Sequence, residues 1–399
     1  MLPEYERVFR SVAVLDPHNA PLPMGKQNGK KVPFSKRGRA KTHNIISHLP
    51  GARSTAKTAK TPRETFSLFF DDHVMDTLVM YTNMYIMSTC ENFERSHDAT
   101  VTDRVELNAF ISLLLITGTY RASHLHFKDL WDQDVPGIFS VMMSYERFLF
   151  LLRCIQFDYL NNRDVRKKLD KLAAIREIQT LLGENYVKAY TPAEYLTIDE
   201  HLIPFRGRCP FRQYLPNKPK KYRTKVCAVV DFRTFYLLKF EVYVGTQPNG
   251  PYKQSNSPSD VVQCLVPVRD SGRSITTDSW YTSIPLVKAL LEMKLMLVGT
   301  SRKNKSEIPI EFLPNREINS SLFGFTKEIA IVCYVPRKSQ SVVHGDGNID
   351  EDTGACKKPE IVTFYNSTKG GVNTGTSCAA IIVLALEQGG GHWQCSSTF

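Results

Sequence analysis

None of the nine cysteines forms a C-x-x-C pair; they are scattered from Cys90 to Cys395. That spacing argues against a zinc knuckle within this stretch and against a disulfide-built secreted protein, so a reducing compartment is expected. Long apolar runs are missing too. No segment approaches the roughly 20 apolar residues that span a bilayer, and MLPEYERVFR lacks the apolar centre of a secretory signal. Neither a membrane partner nor export is expected. No internal repeat is apparent.

Acid is absent from one long stretch. Between Pro17 and Arg63 there are eleven Lys or Arg and no Asp or Glu. The chain holds 51 basic and 40 acidic residues, so the remainder balances at 40 against 40 and all of the net +11 sits in this arm. Its centre, KQNGKKVPFSKRGRAK, has little apolar content and is expected to be disordered over 1–60. Such an arm suits nuclear import or phosphate contact. A solvated tail without a partner has the same composition.

From Thr61 the pattern changes. Thr61-Pro62 with Glu64 three residues after the threonine is a helix-start signature. The segment TPRETFSLFFDDHVMDTLVMYTNMYI continues with helical apolar spacing. VELNAFISLLLITGTY, SYERFLFLLRCIQF and KLAAIREIQTLLGENY read the same way, which makes 61–190 a mostly helical region. After Pro192 the period shortens. EYLTID, KVCAVVDF, TFYLLKFEVYVG, RSITTD, LMLVGTS and IAIVCYV are β-branched or aromatic runs between turn residues, with a helix, SIPLVKALLEMK, among them. The expected fold is an α/β core behind a helical domain. GNIDEDTGACKKPE reads as a polar surface loop.

Two acids end strands. Asp199 follows the run YLTI and Asp278 follows SIT, and two strands of one sheet can bring such carboxylates side by side to ligate Mg²⁺. Asp after a strand also caps turns, so each residue taken singly has a structural explanation. Next to Asp199 lies a dense cationic run: Arg206, Arg208, Arg212, Lys218, Lys220, Lys221, Arg223 and Lys225, with Phe205, Phe211, Tyr214 and Tyr222 interleaved. Cations neutralise phosphates, and aromatic rings pack on sugars or unstacked bases. A solvated hairpin accounts poorly for so many cations directly after a candidate metal ligand.

Four segments in order, YLTIDEHLIPFRGRCPFRQYLPNKPKKY, SITTDSWYTSIPLVKALL, LVGTSRKNKSEIP and FYNSTKGGVN, resemble the piggyBac transposase family. The resemblance runs from about AKTPRETFSLFF to Asn373. It implies an RNase H-like mixed sheet, the core of DDE transposases, with a helical dimerisation and DNA-binding region over 61–190. The core would occupy 191–300, pause for an insertion at 301–360 and resume at 361–373. The implied reaction is Mg²⁺-dependent cut-and-paste DNA transposition at TTAA sites, using three aspartates, with no small-molecule substrate. Asp199 and Asp278 match the first two. The third belongs in Lys-Gly-Gly-Val-Asp, where this chain has Asn373 after Val372. An amide ligates Mg²⁺ without adding charge, and two close divalent ions need that charge. The cationic run, with Lys303 and Lys305 of LVGTSRKNKSEIP, is the expected DNA surface.

The tail, 374–399, departs from the family. Back-translated and read from the third base of each codon, Gly375–Ala379 can encode Asp-Gln-Leu-Cys. Glu387–Ser396 can encode Thr-Arg-Arg-Trp-Pro-Leu-Ala-Val-Phe in the same frame. Both are family motifs at the family's separation, so a single-nucleotide deletion between codons 373 and 376 is expected. The family's Cys-rich zinc module lies beyond this point, and GGGHWQC is neither a phosphate loop nor a metal site. The expectation is a nuclear, transposase-derived DNA-binding protein without catalysis. The rival readings are an active transposase, in which Asn373 still ligates weakly or Asp350, Glu351 or Asp352 substitutes, and a decayed element or protein-interaction domain.

Overall fold

The computed structural model describes residues 11–13, 46, 48–92, 99–119, 127–132, 137–205, 207, 209–302, 305–306, 308, 312, 317–325, 329–335 and 349–374. Strand β1 (Ser11–Ala13) comes first, and β2 (Gly51–Ala52) pairs antiparallel with β3 (Tyr190–Thr191). Between β2 and β3 the described chain is helical. It contains α1 (Pro62–Ser67), α2 (Asp72–Thr89), α3 (Arg104–Thr119), α4 (Ile138–Met142), α5 (Tyr145–Cys154), α6 (Arg163–Lys167) and α7 (Arg176–Ala189).

Local chemistry explains the starts of these helices. At α1 the Thr61 hydroxyl accepts the Glu64 N–H at 3.1 Å while the Glu64 carboxylate accepts the Thr61 N–H at 3.0 Å, a reciprocal capping box with Pro62 in the first turn. Asp71 accepts the Val74 N–H to start α2, and Ser144 does the same for Arg147 at α5. Along α2 the buried residues Val74, Leu78, Thr82 and Ile86 recur every four positions, one stripe facing the core. The run KLAAIREIQTLLGENY is helical only from Arg176. Before it, the Asp170 carboxylate accepts the Leu172 N–H and holds a turn.

The sheet follows. Its strands are β4 (Tyr195–Pro204), β5 (Gln213–Tyr214), β6 (Tyr222–Asp231), β7 (Leu237–Val242), β8 (Ser274–Thr277), β9 (Met296–Thr300), β10 (Ser321–Phe325) and β11 (Ala330–Tyr334). Helix α8 (Pro258–Leu265) precedes β8, and α9 (Ile284–Glu292) joins β8 to β9. Helices α10 (Glu360–Thr368) and α11 (Gly371–Thr374) close the described chain. Among the described residues the strand order is β10-β11-β1-β9-β8-β4-β6-β5, with β7 also paired to β6. The pairs β4–β8 and β8–β9 are parallel, and β4–β6 and β6–β7 are antiparallel. This is the expected mixed sheet behind a helical region.

Alternation along β6 divides the core. Val226, Ala228 and Val230 join the apolar cluster that includes the 61–190 helices, whereas Cys227 and Val229 face the cluster of α8 and α9. The sheet is thereby buried on both faces. Phe69, Tyr186 and Tyr236 pack ring on ring where α7 meets β7.

Two expected boundaries change. Within the stretch read as a disordered arm, 1–60, Ser11–Ala13 forms a strand between β9 and β11, and Gly51–Ala52 pairs with β3. The stretch 301–360, expected to stand outside the core, contributes β10 and β11 to the sheet itself. The reason is that all of Ala330–Tyr334 is buried, so this apolar strand needs cover on both faces. Of GNIDEDTGACKKPE, the described residues from Ile349 on form a mostly exposed 3₁₀ turn that leads into α10, with Pro359 buried. Asp350 spends its carboxylate on the Asp352 N–H of its own 3₁₀ turn.

Candidate metal centre and nucleic-acid interface

Parallel register brings the two strand-ending acids together. Ile198 of β4 lies level with Thr277 of β8, so the next residue on each strand, Asp199 and Asp278, falls beside the other. Asp278 turns the chain: its Oδ1 accepts the Trp280 N–H at 2.8 Å, and its carbonyl accepts the Thr282 hydroxyl at 2.7 Å. It caps a turn and also stands beside Asp199. Asp199 Oδ1 accepts the Glu200 N–H at 2.8 Å.

A third carboxylate joins them. Asp199, Glu200 and Asp278, all half-buried, each offer an oxygen, and these atoms lie within 4.8 Å of one another. Sequence reasoning assigned no role to Glu200. Neighbours on a strand point to opposite faces, but β8 stops at Thr277 while β4 runs on to Pro204, which leaves this side of β4 open to both residues. The abrupt end of SITT at Asp278 was the available signal. Oxygen-only donors of this kind suit Mg²⁺, Mn²⁺ or Ca²⁺.

The neighbours of Glu200 are specific. Lys225 Nζ lies 2.7 Å from its carboxylate, 3.8 Å from the centroid of the Trp280 ring and 5.0 Å from that of the Tyr243 ring. The Tyr281 hydroxyl is buried and hydrogen-bonded to the Cys227 thiol. Burial raises its pKa far above the usual phenol value, and the nearby Cys227, Glu200 and Asp199 add to this. Burial also pushes the Cys227 thiol up to about 11.

Asn373, expected at the third position, lies on α11. Thr197, two residues before Asp199 and on the same face of β4, donates its hydroxyl to the Thr368 carbonyl at 2.8 Å. A Cβ on Gly371 would sit 3.0 Å from Thr197 Oγ1, so the start of α11 approaches β4 as closely as glycine allows. Val372 is fully buried, and Asn373 follows within the helix, its side chain outside the described residues.

The cationic run splits. Arg206, Arg208 and Lys303 lie outside the described residues. Lys218, Lys220 and Lys221 are exposed in the β5–β6 turn, beside the exposed rings of Tyr214 and Tyr222, whose centroids are 5.2 Å apart. Arg212 lies over Tyr222 at 4.3 Å. Arg223 is tied to the Lys220 and Leu202 carbonyls, and Lys305 donates to the Thr282 carbonyl at 2.8 Å, next to the Asp278 turn. Lys225 belongs to the carboxylate cluster. Phe205 and Phe211 are core residues, at 2% and 6% exposure, and offer no stacking surface.

A family model described as Transposase IS4 matches residues 61–382, nine residues past the point where the resemblance was read to stop. A cryo-EM structure of a piggyBac transposase synaptic complex with hairpin DNA superposes with a TM-score of 0.76. It is 33% identical, over 86% of this chain and 75% of that one. The chain belongs to the piggyBac transposase family. Human PiggyBac transposable element-derived protein 3 is 23% identical over 79% of this chain and 55% of its own length. The human chimeric ERCC6-PGBD3 protein matches to the same degree over 31% of its length. The chain therefore spans about half, or less, of the curated piggyBac relatives it matches. The mixed α/β sheet is the piggyBac transposase fold, and it sets Asp199 and Asp278 side by side.

Proposed function

We propose that this chain is a piggyBac transposase-derived DNA-binding protein whose metal centre lacks the charge for two-ion strand cleavage. One observation supports the reading: α11, held against the Asp199 face of β4, includes Asn373 in the Lys-Gly-Gly-Val-Asn run, where the resemblance leads one to expect an aspartate. Asp199 and Asp278 would hold Mg²⁺, which when bound polarises a phosphoryl oxygen and lowers the pKa of water. Two such ions a few ångströms apart repel, and a neutral amide offsets none of that repulsion. DNA is the partner, contacted by Lys218, Lys220 and Lys221 and by the basic arm. The arm directs the protein to the nucleus, and the helical region supports a homodimer.

The test is a DNA titration across salt concentrations. Affinity falls steeply as salt rises if phosphate contacts dominate. Replacing Lys218, Lys220 and Lys221 by Ala flattens the log–log slope by about 2.7, roughly 0.9 per lost contact. No affinity at low salt would sink the reading. Deleting Lys30 to Lys41 leaves a fluorescent fusion in the cytoplasm if the arm is the import signal.

A second reading, an active transposase, draws on Glu200, which brings a third negative charge to the cluster. Mg²⁺- or Mn²⁺-dependent nicking of supercoiled DNA, abolished by Asp199→Ala, would establish it in place of the first.

A further inference from the structure

We propose that Tyr214, on the β5–β6 hairpin, is a stacking platform for one unpaired base of the bound DNA. This rests on the reading of the hairpin as a DNA contact and adds a preference to it, for an interrupted duplex over a continuous one. Register sets Tyr214 directly opposite Tyr222. Their ring centroids are 5.2 Å apart, and the Arg212 guanidinium lies 4.3 Å from the Tyr222 centroid. Arg212 also donates to the Gly207 carbonyl at 3.0 Å, which holds the guanidinium in place. Tyr222 therefore has a ring and a cation packed against it. Tyr214 has no such second neighbour to cover it and is 54% exposed, more than any other aromatic side chain among the described residues. A ring braced on one side and open to solvent is ready for a flat partner.

The surroundings select that partner. Lys218, Lys220 and Lys221, all exposed, stand in the turn between the two tyrosines. Pro216 and Pro219 stiffen this turn, and Arg223 braces it by donating to the Lys220 carbonyl at 2.6 Å. Ammonium groups beside an open ring suit a nucleic-acid strand: the cations take phosphates and the ring takes a base. Within a duplex both faces of a base are covered by its neighbours, so the ring gains a base where the stack is already broken and unstacking costs least. The same face of the sheet leads to the carboxylates. Alternation along β6 puts Tyr222, Thr224, Val226 and Ala228 on one face, and Ala228 lies level with Asp199. Tyr222 stands six residues before Ala228, about 20 Å at the rise of a strand, or roughly six base-pair steps of a duplex. One DNA molecule laid along this face reaches both places.

The experiment compares three probes on the full chain: an intact DNA duplex, the same duplex with one unpaired adenine, and an RNA duplex of that second design. The expected result is tighter binding of the interrupted DNA than of the intact one. Tyr214→Ala lowers that affinity by about five- to a hundredfold, the range for one stacked base. It leaves the affinity for intact duplex and its salt slope unchanged, which also shows that the variant is folded. Tyr214→Phe keeps the ring and the preference, and Tyr214→Trp, with a larger ring, strengthens it. Equal affinity of the unaltered chain for both DNA probes overturns the inference. So does a preference that survives in Tyr214→Ala, or one that is lost in Tyr214→Phe. Tighter binding of the RNA than of the interrupted DNA assigns the platform to RNA and overturns it as well. If neither DNA binds at low salt, the DNA-binding reading falls and takes this one with it.

Discussion

Replacing Gly371 by Ala tests the contact that seats α11 on β4. The added methyl would lie 3.0 Å from Thr197 Oγ1 and 3.2 Å from Thr197 Cβ. Thr197 cannot yield easily: it is 1% exposed, on a strand paired on both sides, and its hydroxyl is bonded to the Thr368 carbonyl. Overpacking of this kind costs about 1–3 kcal/mol, and a rigid neighbour places it in the upper half. Against that, Ala in place of Gly favours the folded state by about 0.4–1 kcal/mol through the unfolded chain. The net expectation is a loss of about 1–2 kcal/mol, read as a lower urea midpoint at constant slope. Thr197→Ala alone loses the hydrogen bond to Thr368, about 1 kcal/mol. It also removes the nearer of the two clashing atoms, so the double variant should be less destabilised than the sum by about 1 kcal/mol. If Gly371→Ala is as stable as the parent, or if the two changes add, α11 is not seated on β4 in this way.

Other outcomes follow from the helical region and its seam with the sheet. Asp158, with no side-chain exposure, holds Arg163 and Arg166, and Arg163 is itself 8% exposed; Asp158→Ala strands a buried cation and should cost about 3–5 kcal/mol in chemical denaturation. Burial pushes the Asp170 carboxyl up, but Arg176, the Leu172 N–H and Gln247 outweigh it and leave the pKa below the ordinary 3.8. A depressed carboxyl contributes stability that is present above about pH 4 and lost as pH falls through the folded value. Asp170→Asn should therefore flatten the acid limb of the stability–pH curve while leaving its slope near neutrality unchanged.

Where the sequence spoke through local chemistry, the structure agrees. Thr61-Pro62 with Glu64 forms the capping box, SIPLVKALLEMK becomes α9, and the six apolar runs all contain strands. The helix α8 went unread although its signals, Ser257 as cap and Pro258 in the first turn, were present. The losses lie where partners are distant in the chain. Nothing in Ser11–Ala13 marks it for a slot between β9 and β11, because that pairing depends on strands 285 residues or more away. Glu200 was invisible for a related reason. Its approach to Asp278 depends on where a separate strand stops, and alternation along β4 alone assigns it to the wrong face. The cationic run was legible as a surface only in its exposed part; Arg223, Lys225 and Lys305 look the same in sequence but are tied to carbonyls or carboxylates.

Asp278 holds the Trp280 N–H with one carboxylate oxygen while it stands beside Asp199. The residue is therefore under two separate pressures. A lineage that gave up DNA cleavage would still lose its turn, and with it the footing of Lys225 on Trp280, by changing this aspartate. Retention of Asp278 in a related chain is thus a record of folding as much as of chemistry. Inherited activity is better traced through positions that serve the reaction alone.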